Sequence, residues 1–581
     1  MKILLLTHAF NSLTQRLYVE LRARGHEVSV ELDINDSVSE EAVRLTQPDL
    51  VIAPFLRRAI PESIWATVRC LVVHPGIKGD RGPSALDWAI QSGEREWGVT
   101  VLEANGEMDA GDVWASHTFA LRAASKGSIY RSEVTEAAVR GVLEALEKMN
   151  DSAFRPEPLD YAKRDVRGKL RPLMKQADRA IDWTRDASAT VIAKIRAADG
   201  FPGVLDSLFG EPVYLYDAHP EAELRGGVPG QVIAKRHGAI LRSTLDGAVW
   251  VGHLKRKTDE AALKLPATMV LGNRLAGVPE VDAPSESDGV QATYRDIRYE
   301  ERGEVGYLHF AFYNGAMSTA QCRRLAEAIR HAKSRPTRVL ALLGGPDYWS
   351  NGIHLNVIEA AAHPADESWA NINAIDDVAL EILTADRQLT IAAMQGNAGA
   401  GGVFLALAAD RVLARRGAIL NPHYKGMGNL FGSEYWTYLL PRRVGADRAD
   451  AITQNRLPID APRAAELGLI DACGPTDADK FAAWVRAEAE ALATRPDFST
   501  YLAAKVSRRA ADEAAKPLAQ YRAEELERMK LNFYGFDPSY HVARYHFVFK
   551  VPRSRTPLYL ARHRAVRQVV RDVAPGQRVV A

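Results

Sequence analysis

The sequence predicts an α/β protein of several domains, and three observations support this prediction. The chain has 581 residues, which is too long for one hydrophobic core and fits three or four domains. Short apolar runs alternate with helical periods in residues 1–155 and again in residues 290–492, as in parallel sheets covered by helices. Between these regions, short strand-like runs broken by glycines predict a small, OB-like β-barrel.

The first domain, residues 1–155, is predicted to be a doubly wound sheet. Its strand-like runs are residues 3–6, 26–32, 50–53 and 71–73, and a helix between the first two ends at Gly25. The apolar start of the chain stops at Thr7, which is too short for a signal peptide and fits a buried first strand. Sheets of this kind bind ligands outside the carboxyl ends of their strands.

Changes in composition give the remaining boundaries. The predicted barrel occupies residues 156–276, and residues 277–289 are acidic, rich in proline and serine, and without a period, which predicts a linker. Residues 290–492 form the second predicted α/β domain. Residues 493–581 are a predicted helical extension that becomes basic near its end.

Composition also excludes several classes of function. The net charge of +1 gives no general attraction to nucleic acid or to an anionic membrane, and no run approaches the roughly 18 apolar residues of a membrane span. Cys70, Cys322 and Cys473 are far apart, so they form neither a metal-binding spacing nor a disulfide framework. We therefore expect a cytoplasmic protein without a metal site.

A histidine and an aspartate follow strands of the first domain in a pattern that suits acyl transfer. His74 comes directly after a buried strand, and Asp109 lies about 35 residues later in a glycine-containing turn. A protonated histidine can stabilise a tetrahedral oxyanion, and a carboxylate can orient the histidine and move a proton. Either residue alone is more often structural, since turn aspartates usually make local hydrogen bonds.

The order of four segments, residues 72–76, 79–84, 98–101 and 108–112, resembles the folate-dependent formyltransferases, and residues 181–183 with 195–203 resemble their C-terminal domain. The resemblance covers about residues 1–260. It implies 10-formyltetrahydrofolate as formyl donor, His74 and Asp109 as catalytic residues, and a folate site of His74, Arg81, Gly82 and Asp109. Val72 departs from the pattern, because the family has asparagine there to hold the formyl oxygen. A different acceptor, or another hydrogen-bond donor, is implied.

Two glycine-bearing loops in the second α/β domain can expose backbone N–H groups at one point, as in an oxyanion hole. They are residues 342–355 and 395–402, and either loop alone fits ordinary turns and helix packing. Together they resemble the crotonase (enoyl-CoA hydratase/isomerase) family over about residues 300–475. The resemblance implies a coenzyme A thioester as ligand, held by Ile353 and Gly401 with Ala400 beside them.

The catalytic positions of this second module depart from those of hydratases. Phe404 and His423 stand where hydratases hold water between two glutamates, so ordinary hydration is not expected. Tyr424 and Glu434 follow closely, and in a dry pocket they could act as acid and base. The alternative is a packed aromatic ring and a solvated loop carboxylate.

The two modules in one chain resemble an accessory family of nickel–iron hydrogenase maturation. The resemblance implies that the formyl group passes from 10-formyltetrahydrofolate to coenzyme A, and that formyl-CoA is split to carbon monoxide and coenzyme A. Arg131 and Arg544 are candidate cations for the coenzyme A phosphates. Hydrogenase maturation proteins or the hydrogenase large-subunit precursor are the expected partners. Two alternatives are a formyl-CoA hydrolase that yields formate and a non-enzymatic maturation scaffold.

Overall fold

The computed structural model describes residues 1–258, 261–283 and 292–565. Its first domain is a six-stranded sheet in the order β2-β1-β3-β4-β5-β6. The strands are β1 (Lys2–Thr7), β2 (Glu27–Leu32), β3 (Leu50–Phe55), β4 (Cys70–His74), β5 (Glu96–Glu103) and β6 (Val113–Ala120). The helices are α1 (Ser12–Ala23), α2 (Asp36–Thr46), α3 (Glu62–Trp65), α4 (Ala85–Gln91), α5 (Lys126–Ile129) and α6 (Thr135–Met149). A π-helical turn joins the last two helices.

The doubly wound sheet is confirmed with one difference in strand direction. Strands β1 to β4 are parallel, whereas β5 is antiparallel to both β4 and β6. In β1, five of the six side chains are buried, as expected for a parallel strand covered on both faces. The apolar start of the chain is therefore a core strand.

The second domain is an antiparallel sheet in the order β7-β8-β11-β10-β9, with β12 paired to β11. Its elements are α7 (Ser188–Ala198), β7 (Val204–Leu208), β8 (Glu211–Glu221), β9 (Val232–Arg236), β10 (Ala239–Ser243), β11 (Ala248–Arg256), β12 (Lys264–Pro266) and α8 (Ala267–Leu271). Helix α7 packs on this sheet through Val191 and Ile195. Within the described residues no pairing joins β7 to β9, so closure into an OB-like barrel stays a prediction.

The first half of the expected linker is packed against the second domain. Lys235 donates its backbone N–H to Pro279, at 2.9 Å, and accepts the N–H of Val281 at 3.0 Å. Val278 and Val281 contact apolar clusters of the sheet. Residues 277–283 therefore belong physically to the second domain, and residues 284–289 lie outside the described residues.

The third domain contains two sheets. The larger has the order β13-β14-β15-β17-β19-β22 and the smaller β16-β18-β20-β21. The strands are β13 (Ile297–Arg302), β14 (Val305–Phe310), β15 (Val339–Leu343), β16 (Tyr348–Ser350), β17 (Leu389–Met394), β18 (Asn397–Gly399), β19 (Arg411–Arg415), β20 (Ile419–Asn421), β21 (Ile459–Asp460) and β22 (Ala472–Gly474). The helices are α9 (Thr319–Ser334), α10 (Leu355–Ala360), α11 (Pro364–Leu383), α12 (Gly401–Leu407), α13 (Trp436–Val444), α14 (Ala446–Gln454), α15 (Ala461–Glu466) and α16 (Ala478–Ala493).

The C-terminal extension is helical at first and then returns to the first domain. Its helices are α17 (Phe498–Ala515), α18 (Leu518–Tyr534) and α19 (Ser539–Val548). Beyond them, Leu560 accepts the backbone N–H of Val30 at 3.0 Å, and Thr556 Oγ1 accepts that of Leu32 at 2.9 Å. Leu560 is buried in the core of the first domain. The end of the extension therefore covers β2, the edge strand of the first sheet.

Neither a membrane-spanning helix nor a metal-binding cluster occurs within the residues that the structure describes. No helix there is long and apolar enough to cross a membrane. No group of three or more histidine, cysteine, aspartate or glutamate side chains there could hold a metal ion.

The docked tail gives a stability prediction. Leu560→Ala should weaken its attachment by about 2–5 kcal/mol, because the substitution leaves a cavity in the core of the first domain. Hydrogen exchange at the amides of Val30 and Leu32 should become faster. Leu558→Ala is the matched control, because Leu558 is 42% exposed. Equal exchange rates in the two variants would show that the tail does not depend on this contact.

Candidate functional site

His74 lies at the end of β4 between two carboxylates. The imidazole is buried, with Nε2 3.0 Å from Asp80 Oδ2 and Nδ1 3.4 Å from Asp109 Oδ2. The sequence predicted the pairing with Asp109 from the positions of two loops. It did not single out Asp80, although Asp80 lies in the loop that carries Arg81 and Gly82. The structure thus brings the expected pair together and adds a second acid.

The loop of Asp109 is held against the loop of Arg81. Asp109 has a φ of +56°, and its Oδ2 accepts the backbone N–H of Gly82 at 3.2 Å. Arg81 donates to the carbonyl of Met108 at 3.2 Å and pairs with Glu107 at 2.5 Å. These contacts fix the two predicted loops to each other, so the four residues of the predicted folate site form one cluster.

Val72, the position at which the sequence departs from the expected pattern, is apolar in its surroundings as well. It pairs with Ala53 on β3 and with Leu102 on β5, and it packs against a cluster that includes Val51 and Cys70. Its side chain offers no hydrogen-bond donor to a formyl oxygen. The polar groups of this site are therefore supplied by the loops around His74.

In the third domain, the two expected oxyanion loops meet. Gly352 has a φ of +76°, and a β-carbon built on it would lie 3.6 Å from the backbone nitrogen of Gly401. Among the described residues, the N–H groups of Ile353 and Gly401 have no hydrogen-bond acceptor. Ala400 precedes α12 with a φ of +48°, and its N–H donates to the carbonyl of Asn421. The two unpaired N–H groups suit a carbonyl oxygen of a ligand.

Tyr424 and Glu434 form a buried pair beside these N–H groups. The Tyr424 hydroxyl donates to Glu434 Oε2 at 2.5 Å, and both residues are buried. A β-carbon on Gly401 would overlap Glu434 Oε1, so the carboxyl group lies directly against the oxyanion loop. The alternative of a solvated loop carboxylate does not describe Glu434, which is buried, whereas the alternative of a packed aromatic ring also describes Tyr424, which stacks on Phe404. The roles of the pair as acid and base stay a prediction.

Burial dominates the electrostatics of the pair. Burial, followed by the charge of Asp376, raises the pKa of Glu434 to about 8. Burial and the neighbouring Glu434 raise the pKa of Tyr424 well above its usual value. Phe404 stacks on Tyr424 with ring centroids 5.5 Å apart, so an apolar ring lies against the pair. His423 is mostly buried, and burial lowers its pKa to about 4, so its imidazole is neutral at pH 7.

Two further acids hold the backbone around Glu434, and sequence reasoning missed both. Glu434 and Tyr435 have φ values of +61° and +58°, a left-handed conformation that costs free energy in residues other than glycine. Asp376 Oδ1 accepts the N–H of Glu434 at 2.8 Å, and Glu525 Oε2 accepts the N–H of Tyr435 at 3.0 Å. Asp376 belongs to α11 and Glu525 to α18, so no local sequence signal connects them with Glu434.

The two arginines proposed for coenzyme A lie in different surroundings. Arg131 joins the first and third domains through Asp347, at 3.1 Å, and Tyr348, at 2.9 Å. Arg544 is buried on α19 and pairs with Glu359 of α10 at 2.6 Å. The structure does not bring these guanidinium groups together, and each already has an acidic partner.

The first and third domains also meet close to the oxyanion loop. Gln15 of α1 accepts a hydrogen bond from the side chain of Asn421 at 3.0 Å. The carbonyl of Asn421 in turn accepts the N–H of Ala400. A contact between the two modules is therefore one residue away from the proposed thioester site.

Three families match successive parts of the chain. Residues 31–146 match "Formyl transferase", residues 173–264 match "Formyl transferase, C-terminal domain", and residues 312–533 match "Enoyl-CoA hydratase/isomerase". The third match continues past the expected domain boundary at residue 492 and includes α17 and most of α18. It therefore includes Glu525.

Comparison with individual proteins gives matches over nearly the whole chain. The chain is 57% identical to the hydrogenase maturation factor HoxX of Bradyrhizobium diazoefficiens, over 100% of this chain and 99% of that protein. A crystal structure of HypX from Aquifex aeolicus in complex with tetrahydrofolic acid superposes with a TM-score of 0.94 at 50% identity, covering 97% of this chain and 99% of that one. A methionyl-tRNA formyltransferase of Desulfotalea psychrophila is 27% identical over 35% of this chain and 64% of that protein.

The raised pKa of Glu434 can be tested without any assay of activity. Below about pH 8 the carboxyl group should carry a proton, because burial opposes its ionisation. Infrared difference spectra taken across this pH should show the band of a protonated carboxyl group disappearing, and Glu434→Gln should remove that component. Asp376→Asn should move the change to lower pH, because it removes a neighbouring negative charge.

Asp377→Asn is the matched control on the same helix, because Asp377 is exposed and pairs with Arg522. It should move the change less than Asp376→Asn does. A band that persists unchanged in Glu434→Gln would show that another group carries the proton.

Proposed function

The chain belongs to the HoxX/HypX family of hydrogenase maturation factors, and on that premise we propose that it produces the carbon monoxide ligand of a nickel–iron hydrogenase. The first module transfers a formyl group from 10-formyltetrahydrofolate to the thiol of coenzyme A. The second module then splits formyl-CoA into carbon monoxide and coenzyme A. The buried Tyr424–Glu434 pair beside two unpaired backbone N–H groups is the observation that carries this proposal.

Formyl transfer is supported by the cluster around His74. Its imidazole and the Asp109 carboxylate lie within 3.4 Å of each other, close enough to exchange a proton during transfer. The HypX of Aquifex aeolicus was crystallised with tetrahydrofolic acid, and the chain shares half of its residues with that protein. We therefore expect the folate to bind beside His74, Arg81, Gly82 and Asp109.

Decarbonylation is supported by what the second site contains and by what it lacks. Formyl-CoA has no α-carbon, so hydratase or isomerase chemistry cannot act on it. Its breakdown to carbon monoxide removes the formyl hydrogen as a proton, breaks the C–S bond and leaves a proton on the sulfur. The Glu434 carboxylate can accept the first proton, and the Tyr424 hydroxyl can donate the second. Ile353 and Gly401 would hold the carbonyl oxygen.

Exclusion of water decides which product forms. Water in this pocket would attack the formyl carbon and give formate, whereas a dry pocket leaves only loss of the proton and the thiolate. Phe404 is fully buried and stacked on Tyr424, and we propose that it takes the place of a water-holding glutamate. This arrangement favours the carbon monoxide route over the hydrolase alternative.

Binding of coenzyme A requires cations for its phosphates. We propose Arg131 and Arg544 for this role, with Ala400 beside the thioester. Of the two arginines, Arg131 has the better position, because it lies at the contact between the two modules. Arg544 would have to exchange its contact with Glu359 for a phosphate.

The proposed product, carbon monoxide, indicates where the protein acts and with which partners. Carbon monoxide must reach an iron atom before the hydrogenase is complete, so we propose a cytoplasmic role beside other hydrogenase maturation proteins or the large-subunit precursor. A scaffold without catalysis would bind the same ligands and produce neither carbon monoxide nor formate.

Formyl transfer should depend on His74 and Asp109. His74→Ala or Asp109→Asn should slow the consumption of 10-formyltetrahydrofolate in the presence of coenzyme A by about 10²–10⁴-fold, the scale of a positioned acid–base group. Circular dichroism should show an intact fold, and both variants should still convert added formyl-CoA. Unchanged consumption of the formyl donor would remove this site from the proposal.

The second step should depend on Glu434. Glu434→Gln should leave formyl transfer intact and let formyl-CoA accumulate, and Tyr424→Phe should do the same more mildly. Carbon monoxide is measured with a haem trap and formyl-CoA by chromatography. Because the base must be ionised, release of carbon monoxide should increase as the pH rises towards about 8.

Different products distinguish the alternatives. If the unaltered protein produces only formate, it is a formyl-CoA hydrolase. If it binds its ligands and forms no product, it is a non-enzymatic maturation scaffold. Release of carbon monoxide at the original rate by Glu434→Gln would make Glu434 a structural residue.

A further inference from the structure

His74 has a second carboxylate partner to which the formyl-transfer proposal gives no role. Asp80 Oδ2 lies 3.0 Å from Nε2 of His74, whereas Asp109 lies at the other ring nitrogen, Nδ1. The side chain of Asp80 is 0% exposed, compared with 12% for Asp109. Asp109 therefore reaches the accessible side of the imidazole, and Asp80 lies behind it.

Asp80 is buried by a covering segment, residues 166–174, that runs along its loop. Gly168 donates its N–H to the carbonyl of Lys78 at 2.9 Å, and Arg171 donates to that of Arg81 at 2.9 Å. A β-carbon on Gly168 would overlap the backbone of Asp80, so only glycine allows this close approach. The segment therefore isolates Asp80 from solvent.

The burial of Asp80 leaves its carboxylate with few partners. Arg171 is the nearby cation from the covering segment, and its Nε lies 3.5 Å from Asp80 Oδ1. Neither of these two atoms has a hydrogen-bond partner in the described part of the chain. The contact with His74 is shorter, and an ionised carboxylate out of water needs a charged or hydrogen-bonding partner. The imidazole is thus the main partner of Asp80.

We propose that Asp80 is a positioning residue for formyl transfer: it orients the His74 imidazole and stabilises the imidazolium that forms when His74 accepts a proton. The inference deepens the proposed function and rests on it. Both ring nitrogens of an imidazolium are donors, so Nε2 donates to Asp80 while the N–H at Nδ1, on the side of Asp109, is left for the reacting groups during transfer. A buried carboxylate behind a catalytic histidine acts in this way in serine proteases.

Transfer of the formyl group to a thiol requires a group that carries one proton, and this arrangement provides one. In the transfer, sulfur loses its proton, the bond from sulfur to the formyl carbon forms, and the bond from that carbon to N10 of the folate breaks. N10 then gains a proton, so the net transfer is from sulfur to nitrogen. His74, through Nδ1 on the accessible side, can carry this proton while Asp80 stabilises its charge from behind.

The absence of a hydrogen-bond donor at Val72 fits a charged His74. Related formyltransferases hold the formyl oxygen with an asparagine at this position, and a valine cannot donate a hydrogen bond. A charged His74 supplies a stronger donor than a neutral one, since charge-assisted hydrogen bonds are about twice as strong. By stabilising the protonated form of His74, Asp80 strengthens a hydrogen bond from His74 to the formyl oxygen, the contact for which Val72 offers no donor.

The test is the pH dependence of formyl transfer in Asp80→Asn, which keeps the shape of the side chain and removes its charge. The maximal rate should fall about 10²–10⁴-fold with little change in KM for the formyl donor. The ascending limb of the pH–rate profile should move to lower pH, because the imidazolium loses a stabilising anion. Other charged groups around His74 are unchanged in this variant: Arg81, Glu107, Asp109 and Arg171.

A second variant tests the contact itself. A β-carbon on Gly76 would lie 2.5 Å from His74 Nε2 and 2.6 Å from Asp80 Oδ2, so Gly76→Ala should push the two side chains apart. It should move the pH profile in the same direction as Asp80→Asn. Glu94→Gln is the matched control, because Glu94 is an exposed second partner of Arg171, and it should leave rate and profile unchanged.

The outcomes separate this inference from the proposed function. If the unaltered protein consumes no formyl donor, formyl transfer itself is wrong. If the unaltered protein is active and Asp80→Asn lowers the rate without moving the profile, Asp80 is merely structural and the inference fails. Should Asp80→Asn not fold, as judged by circular dichroism, an unshifted profile in Gly76→Ala overturns the inference, and a shifted one supports it.

Discussion

The removal of carboxyl groups from water is the constraint on which the rest of this structure depends. An ionised carboxylate in an apolar interior costs several kcal/mol unless donors or cations compensate it. Asp376 and Glu525 accept hydrogen bonds from the backbone of a left-handed turn that carries Glu434, although burial still raises the pKa of Asp376 to about 6 and that of Glu525 to about 8. Asp80 is compensated by His74. At both candidate sites, the residue to which we assign the chemistry therefore lies against a buried acid.

The sequence predicted the modules well because their signals are local. Alternating apolar and helical stretches, and glycine-bearing loops after strands, report directly on the backbone of their own segment. Motif order then placed His74 and Asp109 in one site, and the structure shows them in contact. It also brings Tyr424 and Glu434 within hydrogen-bond distance. The sequence suggested these two only as functional side chains close after the departures at Phe404 and His423, and no helical or strand period predicts their spacing of ten residues.

The buried acids could not be predicted, because their environment is made by distant parts of the chain. Asp80 is in a loop that the motif includes, but Gly168 and Arg171 isolate it from water, and they lie about 90 residues further on. Glu525 reaches the site from α18, which the sequence placed outside the catalytic domain. The antiparallel β5 was also unexpected. Glu103 at its end lies opposite Leu71 at the start of β4, so the loop of Asp109 must fold back along β4 to reach His74.

The tail that covers β2 has a consequence for how the protein is made. Leu560 pairs with Val30, and His563 and Arg564 contact Glu31. More than 500 residues separate these partners, so the ribosome exposes β2 long before its cover is synthesised. An uncovered edge strand can pair with other chains and cause aggregation. The edge of β2 therefore stays without this cover until synthesis of the chain has reached the tail.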